Sequence, residues 1–333
     1  MLFRPPEVLK YLLAHITLMF LISFTAKAQV ADFYIGFDGI LDNREMNTPY
    51  VMPQTIFGAR INPGVSFGFD SIHSVNLGIN YMYEFGGELL GITPQLDIFY
   101  SYKSEQVKFL IGSFPRKDVL EYPYMVLTDT LNYYRPNMEG ASISFAWSWG
   151  DAHTWIDWTG RKTTETREGF LAGFDATIRA GFFYLSALTS YYHLAKSKVS
   201  DPSNTVMDDG AILGIFGSDL SERLVLDELN ISIAWVSTYM REGHNDAVWT
   251  RGWLSQLDAR YGIFGIKGTC YLGKGPYLSY GDWLYRSGSY GRIDLFIDPF
   301  KNLPVCSKVG WSMHMISGIG IQWSQQILIS VMF

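Results

Sequence analysis

The sequence has little cysteine, few charged residues and, beyond its N-terminus, no long apolar run. Its 333 residues include two cysteines, and charged residues make up 17% of the chain, against about 25% in ordinary soluble domains. Cys270 and Cys306 form no metal-binding or redox motif. Every later apolar run is interrupted within a few positions by glycine or a polar residue, so none can cross a lipid bilayer as a helix.

The N-terminus has the pattern of a secretory signal. Arg4 and Lys10 precede an apolar run over residues 11–24, and Ala26-Lys27-Ala28 supplies small residues around a cleavage point. Because the run is shorter than the ~20 residues of a spanning helix, we expect residues 1–28 to be removed rather than retained as an anchor. The mature chain, residues 29–333, then has 23 basic and 31 acidic side chains and a net charge of −8, which gives no indication of nucleic-acid binding.

The end of the chain, residues 319–333, alternates with a period of two. Apolar side chains occupy the odd positions, interrupted only by Gln325, and small or polar residues occupy most even positions. This period indicates a strand with one apolar face. The segment resembles the closing strand of Gram-negative outer-membrane β-barrels. The resemblance implies an outer-membrane location and recognition of the terminal Phe333 by the barrel-insertion machinery.

Alternating segments of about ten residues continue through the whole mature chain, the length that a tilted strand needs to cross a bilayer. The predicted fold class is all-β, a transmembrane antiparallel up-and-down β-barrel of about 16 strands, with 14 or 18 also compatible. Aromatic residues make up 16% of the chain, as the interfacial girdles of a barrel require, although a soluble β-sandwich would also be aromatic. The predicted strands are 32–41, 54–69, 74–85, 92–103, 106–115, 138–149, 153–161, 169–180, 182–195, 208–217, 225–239, 250–261, 263–273, 289–298, 305–315 and 319–333.

The lengths of the connections support this count. If the chain starts on the periplasmic side, the even-numbered connections should be short turns and the odd-numbered ones should include the long outer loops. Residues 116–137, 196–207, 240–249 and 274–288, the longest connections, all fall on the outer side. The lengths of the connections therefore support sixteen strands and a chain that starts on the periplasmic side.

Alternation also predicts which charged side chains face the lumen, because a basic side chain on the lipid face costs about 2–4 kcal/mol at mid-membrane. Two interpretations stay open: the charges line a water-filled pore with a transverse field, or they form ion pairs, such as Asp258 with Arg260 and Arg292 with Asp294, that fill the lumen. The predicted inner charges are Asp97, Lys108, Asp157, Arg161, Asp175, Arg179, Asp258, Arg260, Arg292 and Asp294.

The longest loop, residues 116–137, is the third outer connection. The strand map resembles that of sixteen-stranded porins, in which the third outer loop folds into the barrel and narrows it, and which form trimers. This resemblance implies a constriction and leaves a homotrimer open. The alternative is a solvated surface loop. The charges that such a loop brings to the constriction are Arg116, Lys117, Asp118, Glu121 and Arg135.

The sequence gives little support to an enzymatic site. His73 and His153 fall in predicted periplasmic turns, whereas His193 and His314 lie near the outer ends of strands, and no His-x-Ser sequence occurs. We therefore predict a non-enzymatic, porin-like channel for passive diffusion of small hydrophilic solutes, in contact with outer-membrane lipid and lipopolysaccharide and without a cofactor. The alternatives are an outer-membrane lipid-modifying enzyme, and a plugged barrel with a structural or secretion-associated role.

Overall fold

The computed structural model describes residues 30–164, 166–196, 205–300 and 304–333. The predicted signal peptide, residues 1–28, lies outside the described residues. Among the described residues, no helix is both long and apolar enough to span a membrane. Helical structure in this part of the chain is limited to single turns, namely 3-10 turns at Arg116–Asp118, Ser221–Arg223 and Trp283–Ser287 and one α-helical turn, α1, at Leu131–Tyr134.

In the described part of the chain, sixteen strands form one closed sheet, and each begins and ends within three residues of its predicted limits. The strands are β1 (Val30–Arg44), β2 (Gln54–Gly68), β3 (His73–Glu84), β4 (Gln95–Lys103), β5 (Val107–Pro115), β6 (Asn137–Trp147), β7 (Gly150–Gly160), β8 (Gly169–Ala180), β9 (Phe183–Leu194), β10 (Met207–Asp219), β11 (Glu228–Glu242), β12 (Val248–Tyr261), β13 (Phe264–Gly273), β14 (Ser289–Ile297), β15 (Val305–Ile316) and β16 (Gly320–Met332).

Every strand pairs antiparallel with its neighbours in sequence, and β1 pairs with β16 to close the barrel. The predicted fold class and strand number are therefore confirmed. Closure leaves no unpaired edge, which is what a sheet in lipid requires. The polar interruption in the last strand, Gln325, lies opposite Asn43 at this seam and accepts a hydrogen bond of 3.0 Å from its side chain.

Side chains alternate between the lipid face and the interior. On β9, for example, Phe183 and Leu185 are 43% and 59% exposed, whereas Leu188, Ser190 and Tyr192 point inward and are buried. The two longest connections, residues 116–136 and 274–288, lie at one end of the barrel. The connection between β15 and β16 at that end nevertheless has three residues, and the one between β10 and β11 at the other end has eight. Gly150 already belongs to β7 and His73 begins β3. The prediction that His73 and His153 lie in turns was therefore wrong, because two residues suffice to connect β6 and β7.

Two outer loops fold into the barrel. We call them together the plug: residues 116–136 between β5 and β6, and residues 274–288 between β13 and β14. The loops pair through their backbones, since Thr128 N–H donates to Tyr280 O and Asp282 N–H donates to Tyr124 O, both at 2.8 Å. Gly281 permits this approach, because a Cβ at that position would clash with the carbonyl oxygen of Met125.

Apolar side chains of the plug pack against the inner wall and form a core inside the barrel. Met125, Val126, Leu278, Leu284 and Tyr285 are at most 4% exposed and contact inward-facing residues of the wall. Burying a large apolar side chain stabilises a protein by about 1.5–3 kcal/mol. The plug is therefore held by the same force that holds a soluble protein core, and it occupies much of the outer lumen.

Candidate functional site

The residues of the predicted constriction separate into two groups. Arg116 is buried, and its guanidinium lies 2.5 Å from Asp157 Oδ2 and donates to the carbonyl of Asn137. Arg135 lies 3.6 Å from Asp157 Oδ1 and donates to the carbonyl of Thr159 at 2.9 Å. The two arginines thus anchor the plug to β7, whereas the remaining three predicted side chains, Lys117, Asp118 and Glu121, are exposed.

Most of the predicted inner charges are engaged in pairs. Lys267 Nζ lies 3.0 Å from Asp258, and Arg260 lies 3.2 Å from Asp298. The suggested pair of Asp258 with Arg260 therefore does not form, because each residue has a partner on another strand or turn. Two further pairs lie on the inner wall, Arg292 with Asp294 at 2.7 Å and Arg179 with Asp151.

The other predicted inner residues contact the plug or neighbouring strands. Asp97 accepts hydrogen bonds from Asn62 and Asn137, and Lys108 Nζ donates to the carbonyl of Asp118 in the plug. Arg161 does not face the lumen as predicted. It lies one residue beyond the end of β7, in the outer loop, and is exposed there.

Two serine–histidine pairs lie inside the barrel. Ser142 Oγ is 2.9 Å from His153 Nε2, and His153 Nδ1 is 3.1 Å from Asp175. This pair is covered by the plug, since Tyr122 bonds to the same Asp175 oxygen. The second pair joins His314 Nε2 to Ser324 Oγ at 2.9 Å. The sequence gave no sign of either pair, because the partners belong to different strands.

A cavity of about 320 Å³ remains between the plug and the wall formed by β1 and β14–β16. Asp129 and Asp282 of the plug line it, with Arg44 of β1 lying 2.9 Å from Asp129. Burial opposes ionisation of Asp129, but Arg44 and Arg292 outweigh it and lower the pKa of this carboxyl. Asp282 forms no ion pair with a described residue. Burial and the charge of Asp129 raise its pKa, although a hydrogen bond from Leu284 N–H and the charges of Arg292 and Arg44 oppose this change.

A third polar cluster lies on the outside of the barrel, at the outer ends of β9, β10 and β11. His193 Nδ1 is 2.7 Å from Asp208 Oδ1, which also accepts a hydrogen bond of 3.0 Å from Tyr191. Arg241 lies 2.5 Å from the other carboxylate oxygen. We call these four residues the rim cluster. Within the described part of the chain, His193 Nε2 makes no hydrogen bond.

The alternation of each strand places the rim cluster on the lipid side. On β9, His193 lies on the same face as the exposed residues Phe183 and Leu185. On β10, Asp208 lies on the same face as the exposed residues Ile212 and Phe216. Asp208 is nevertheless only 2% exposed, because its three partners cover it. The cluster therefore faces outward at the level where the barrel meets the outer leaflet.

The aromatic side chains beside the rim cluster continue along the outer surface. The Phe170 ring lies 5.4 Å from the His193 ring and stacks on Trp158 at 5.6 Å. Such rings suit the membrane interface, where an apolar body meets polar headgroups. Sequence analysis named His193 but not Asp208. A signal was present, since Asp208 occupies the lipid-facing series of β10, where a carboxylate is unfavourable without a partner.

Comparison with known proteins assigns the family. A family model described as lipid A 3′-O-deacylase-type matches residues 26–316. The chain belongs to the lipid A 3′-O-deacylase-type family. This family is one of enzymes, so the prediction of a non-enzymatic protein was wrong. A search of curated proteins finds no match.

Solved structures similar to this member of the deacylase-type family are outer-membrane barrels. A loop-deletion mutant of OmpT, an outer membrane protein of Vibrio cholerae, has a TM-score of 0.57 at 8% identity, covering 91% of this chain and 99% of that one. An anion-selective porin from Comamonas acidovorans has a TM-score of 0.55 at 9% identity, and the match covers 91% of this chain and 100% of the porin. Salmonella typhi OmpF in complex with daunomycin has a TM-score of 0.53 at 10% identity, and the match covers 91% of this chain and 97% of OmpF.

At these identities the likeness shows the fold, a porin-like barrel, and with the family it places this deacylase-type protein in the Gram-negative outer membrane. Within the described residues, no group of three or more His, Cys, Asp or Glu side chains could hold a metal ion.

Proposed function

We propose that the protein hydrolyses an ester-linked acyl chain of an outer-leaflet lipid, with lipid A as its substrate class and the rim cluster as its active site. The observation that carries the proposal is the His193–Asp208 pair on the lipid face at the outer rim. Membership of the lipid A 3′-O-deacylase-type family supports it. An acyl ester of a membrane lipid lies at this depth, between the headgroup and the hydrocarbon.

The chemistry follows from the hydrogen bond to Nδ1. Asp208 holds the proton of His193 on Nδ1, which leaves the lone pair of Nε2 free to act as a base. A water molecule attacks the ester carbonyl and transfers a proton to Nε2. The tetrahedral oxyanion then collapses, the carbon–oxygen bond to the alcohol breaks, and the leaving oxygen takes the proton from Nε2. The products are a fatty acid and a lipid with a free hydroxyl.

Tyr191 and Arg241 have supporting roles in this proposal. Tyr191 and Arg241 bond to different oxygens of Asp208, which fixes the carboxylate opposite the imidazole. The Arg241 side chain is 52% exposed, so the rest of its guanidinium is open to a ligand. A cation at this position stabilises the developing oxyanion or a nearby phosphate.

The position of the plug makes passive diffusion through the barrel less favourable than the channel prediction requires. Passive diffusion requires a continuous open lumen, and the plug fills much of the outer half, leaving the cavity of about 320 Å³ beside it. This arrangement favours a barrel that serves as a scaffold for an enzyme. Diffusion of small solutes, a homotrimer and recognition by the insertion machinery stay predictions, as does lipopolysaccharide contact beyond its role as substrate.

The proposal is tested by incubating the refolded protein with lipopolysaccharide and measuring lipid A by mass spectrometry. We expect loss of one acyl chain, and a decrease in rate of about 10²–10⁴-fold in His193→Asn, because a general base contributes about that factor. The matched control is His73→Asn. His73 also faces lipid and bonds to a tyrosine, but it lies at the periplasmic rim.

Two results would overturn the proposal. One is an unmodified lipid A after prolonged incubation with folded wild-type protein. The other is an equal loss of activity in His193→Asn and His73→Asn, which would assign the effect to barrel stability.

A further inference from the structure

The cavity beside the plug is separate from the rim cluster. It lies inside the barrel, and the exposed residues Met52 and Trp283 stand at its outer border. Its occupant therefore comes from the aqueous medium, whereas the rim cluster faces lipid. A pocket with convergent polar groups is the usual form of a small-molecule site.

His314 and Ser324 line this cavity and are hydrogen-bonded to each other at 2.9 Å, between Nε2 and Oγ. On the other side of the ring, Nδ1 lies 2.7 Å from the Tyr290 hydroxyl. With the proton on Nδ1 donated to Tyr290, Nε2 accepts the proton of Ser324. A hydroxyl bonded to a base that is oriented by a third group is the arrangement of an activated nucleophile.

A cation stands beside this pair. Arg292 lies directly opposite His314 in the pairing of β14 with β15, so their Cβ atoms are about 5 Å apart. Arg292 Nε bonds to Asp294 at 2.7 Å, while its two terminal nitrogens make no hydrogen bond to any residue that the structure describes. These donors are available to an oxyanion that forms at Ser324.

The cationic donors of the cavity that have no partner among the described residues indicate that the ligand carries an anionic group. Asp42 and Asp129 are bonded to Arg44, and Asp294 to Arg292. Lys308 also lines the cavity, and its ammonium makes no hydrogen bond or ion pair with a described carboxylate. Arg44 is shared by Asp42 and Asp129, so the paired charges do not cancel one for one. Lys308 and the outer part of Arg292 are the cationic donors left without a hydrogen-bond partner among the described residues.

We propose that Ser324 is the nucleophile of a second hydrolytic site, which acts on small water-soluble esters that carry an anionic group. Ser324 Oγ attacks the ester carbonyl and its proton passes to His314 Nε2. The bond to the alcohol breaks, the alcohol takes that proton, and an acyl-serine remains. Water then attacks the acyl-serine with His314 again accepting and returning a proton, which frees the acid and restores Ser324.

The barrel contains a matched control. Ser142 and His153 have the same separation of 2.9 Å, and Asp175 orients the histidine. Ser142 does not line the cavity, and buried Trp155 donates a hydrogen bond to half-buried Tyr122 over this part of the wall. If a hydrogen bond to histidine were sufficient, both serines would react. If the cavity and its cations are required, only Ser324 reacts.

The first experiment treats the full-length folded protein with a fluorophosphonate probe, followed by digestion and mass spectrometry. We expect phosphonylation of Ser324 and none of Ser142, with a decrease of at least tenfold in His314→Gln and an unchanged signal in His73→Asn. Absence of the adduct at Ser324, or an adduct that His314→Gln leaves unchanged, would overturn the proposal. Because the primary observation uses the wild-type protein, it does not depend on how a variant folds.

The second experiment tests the substrate class. Wild type and Lys308→Gln are compared on p-nitrophenyl acetate and on the mono-p-nitrophenyl ester of succinic acid. We expect Lys308→Gln to lower kcat/KM about tenfold for the anionic ester and to leave the neutral ester unchanged. An equal effect on both esters, or hydrolysis that persists in Ser324→Ala, would contradict the assignment.

Discussion

His193 Nδ1 lies 2.7 Å from Asp208 Oδ1 on the outside of the barrel, although the two residues belong to different strands. The register of β9 with β10 places them directly opposite each other. A histidine and a carboxylate on a lipid face are each unfavourable alone. Joined to Tyr191 and Arg241, they form a polar cluster on the outer surface of the barrel, near the ends of β9, β10 and β11.

The first prediction concerns Arg241. Arg241→Gln should lower kcat/KM for lipid A deacylation by about 10- to 100-fold, because it removes a cation near the developing oxyanion. The control is Arg251→Gln, since Arg251 is also exposed on the lipid side of its strand but lies outside the rim cluster. Product formation is measured by mass spectrometry of lipid A. A similar decrease in both variants would point to a general loss of lipid binding.

The second prediction concerns the plug as a barrier. Deleting residues 118–133 should raise single-channel conductance in a planar bilayer, because it removes one of the two loops that fill the lumen. Deleting residues 88–91, exposed in the second outer loop, is the control and should leave the conductance low. A high conductance in the wild-type protein would instead support the porin-like channel.

The third prediction concerns the buried pair of Arg116 and Asp157. Their side chains are 3% and 0% exposed and 2.5 Å apart, and removal of one member of such a pair costs about 3–5 kcal/mol. Arg116→Gln should therefore lower the free energy of unfolding strongly. Arg135→Gln removes a longer and more exposed contact to the same carboxylate, at 3.6 Å, and should cost less than about 1 kcal/mol.

The measurement for this pair is denaturant unfolding of the two variants in detergent micelles. Equal losses of stability would show that the plug is not anchored mainly by Arg116.

The fourth prediction concerns pH. The pKa of Asp129 is lowered, so its contribution to stability is present above its ordinary value of 3.8 and is lost as the pH falls below it. The pKa of Asp282 is raised, so its contribution has the opposite sign and is lost as the pH rises above 3.8. Asp129→Asn should remove the loss of stability below pH 3.8, and Asp282→Asn should remove the loss of stability as the pH rises from 3.8 toward neutral.

These curves are recorded as thermal unfolding temperatures between about pH 3 and pH 7. If both variants changed stability in the same pH range, the pKa values of Asp129 and Asp282 would not be displaced in opposite directions.

The strands were the most predictable part of the molecule. β16 ends at Met332, and apart from Gln325 its inward and outward side chains alternate as the sequence predicts, so its apolar face is specified residue by residue. The same period fixed strands such as β8 and β9 to within one residue of the structure. A charged side chain on the lipid face costs so much free energy that the sequence of each strand must alternate between apolar and polar residues.

The sites were much less predictable. Asp208 with His193, and Ser324 with His314, are joined across neighbouring strands, and sequence distance carries no information about the register that joins them. Arg161 was placed in the lumen because β7 was extended by one residue. The inward fold of residues 116–136 followed from a resemblance to porins, and the partner loop at 274–288 was not recognised as part of the plug.

The sequence by itself determined the class of the protein: a barrel of sixteen strands, the direction of the chain and the face of each strand. It could do so because the membrane places the same requirement on every strand separately: the side chains that face lipid must be apolar, and the backbone must be hydrogen-bonded within the sheet. Only the tertiary structure decided that the loop at 274–288 joins the loop at 116–136 inside the barrel and that a histidine and an aspartate meet at the outer rim. Both depend on register and on loops that fold back into the barrel, so they are properties of the closed sheet rather than of any one strand.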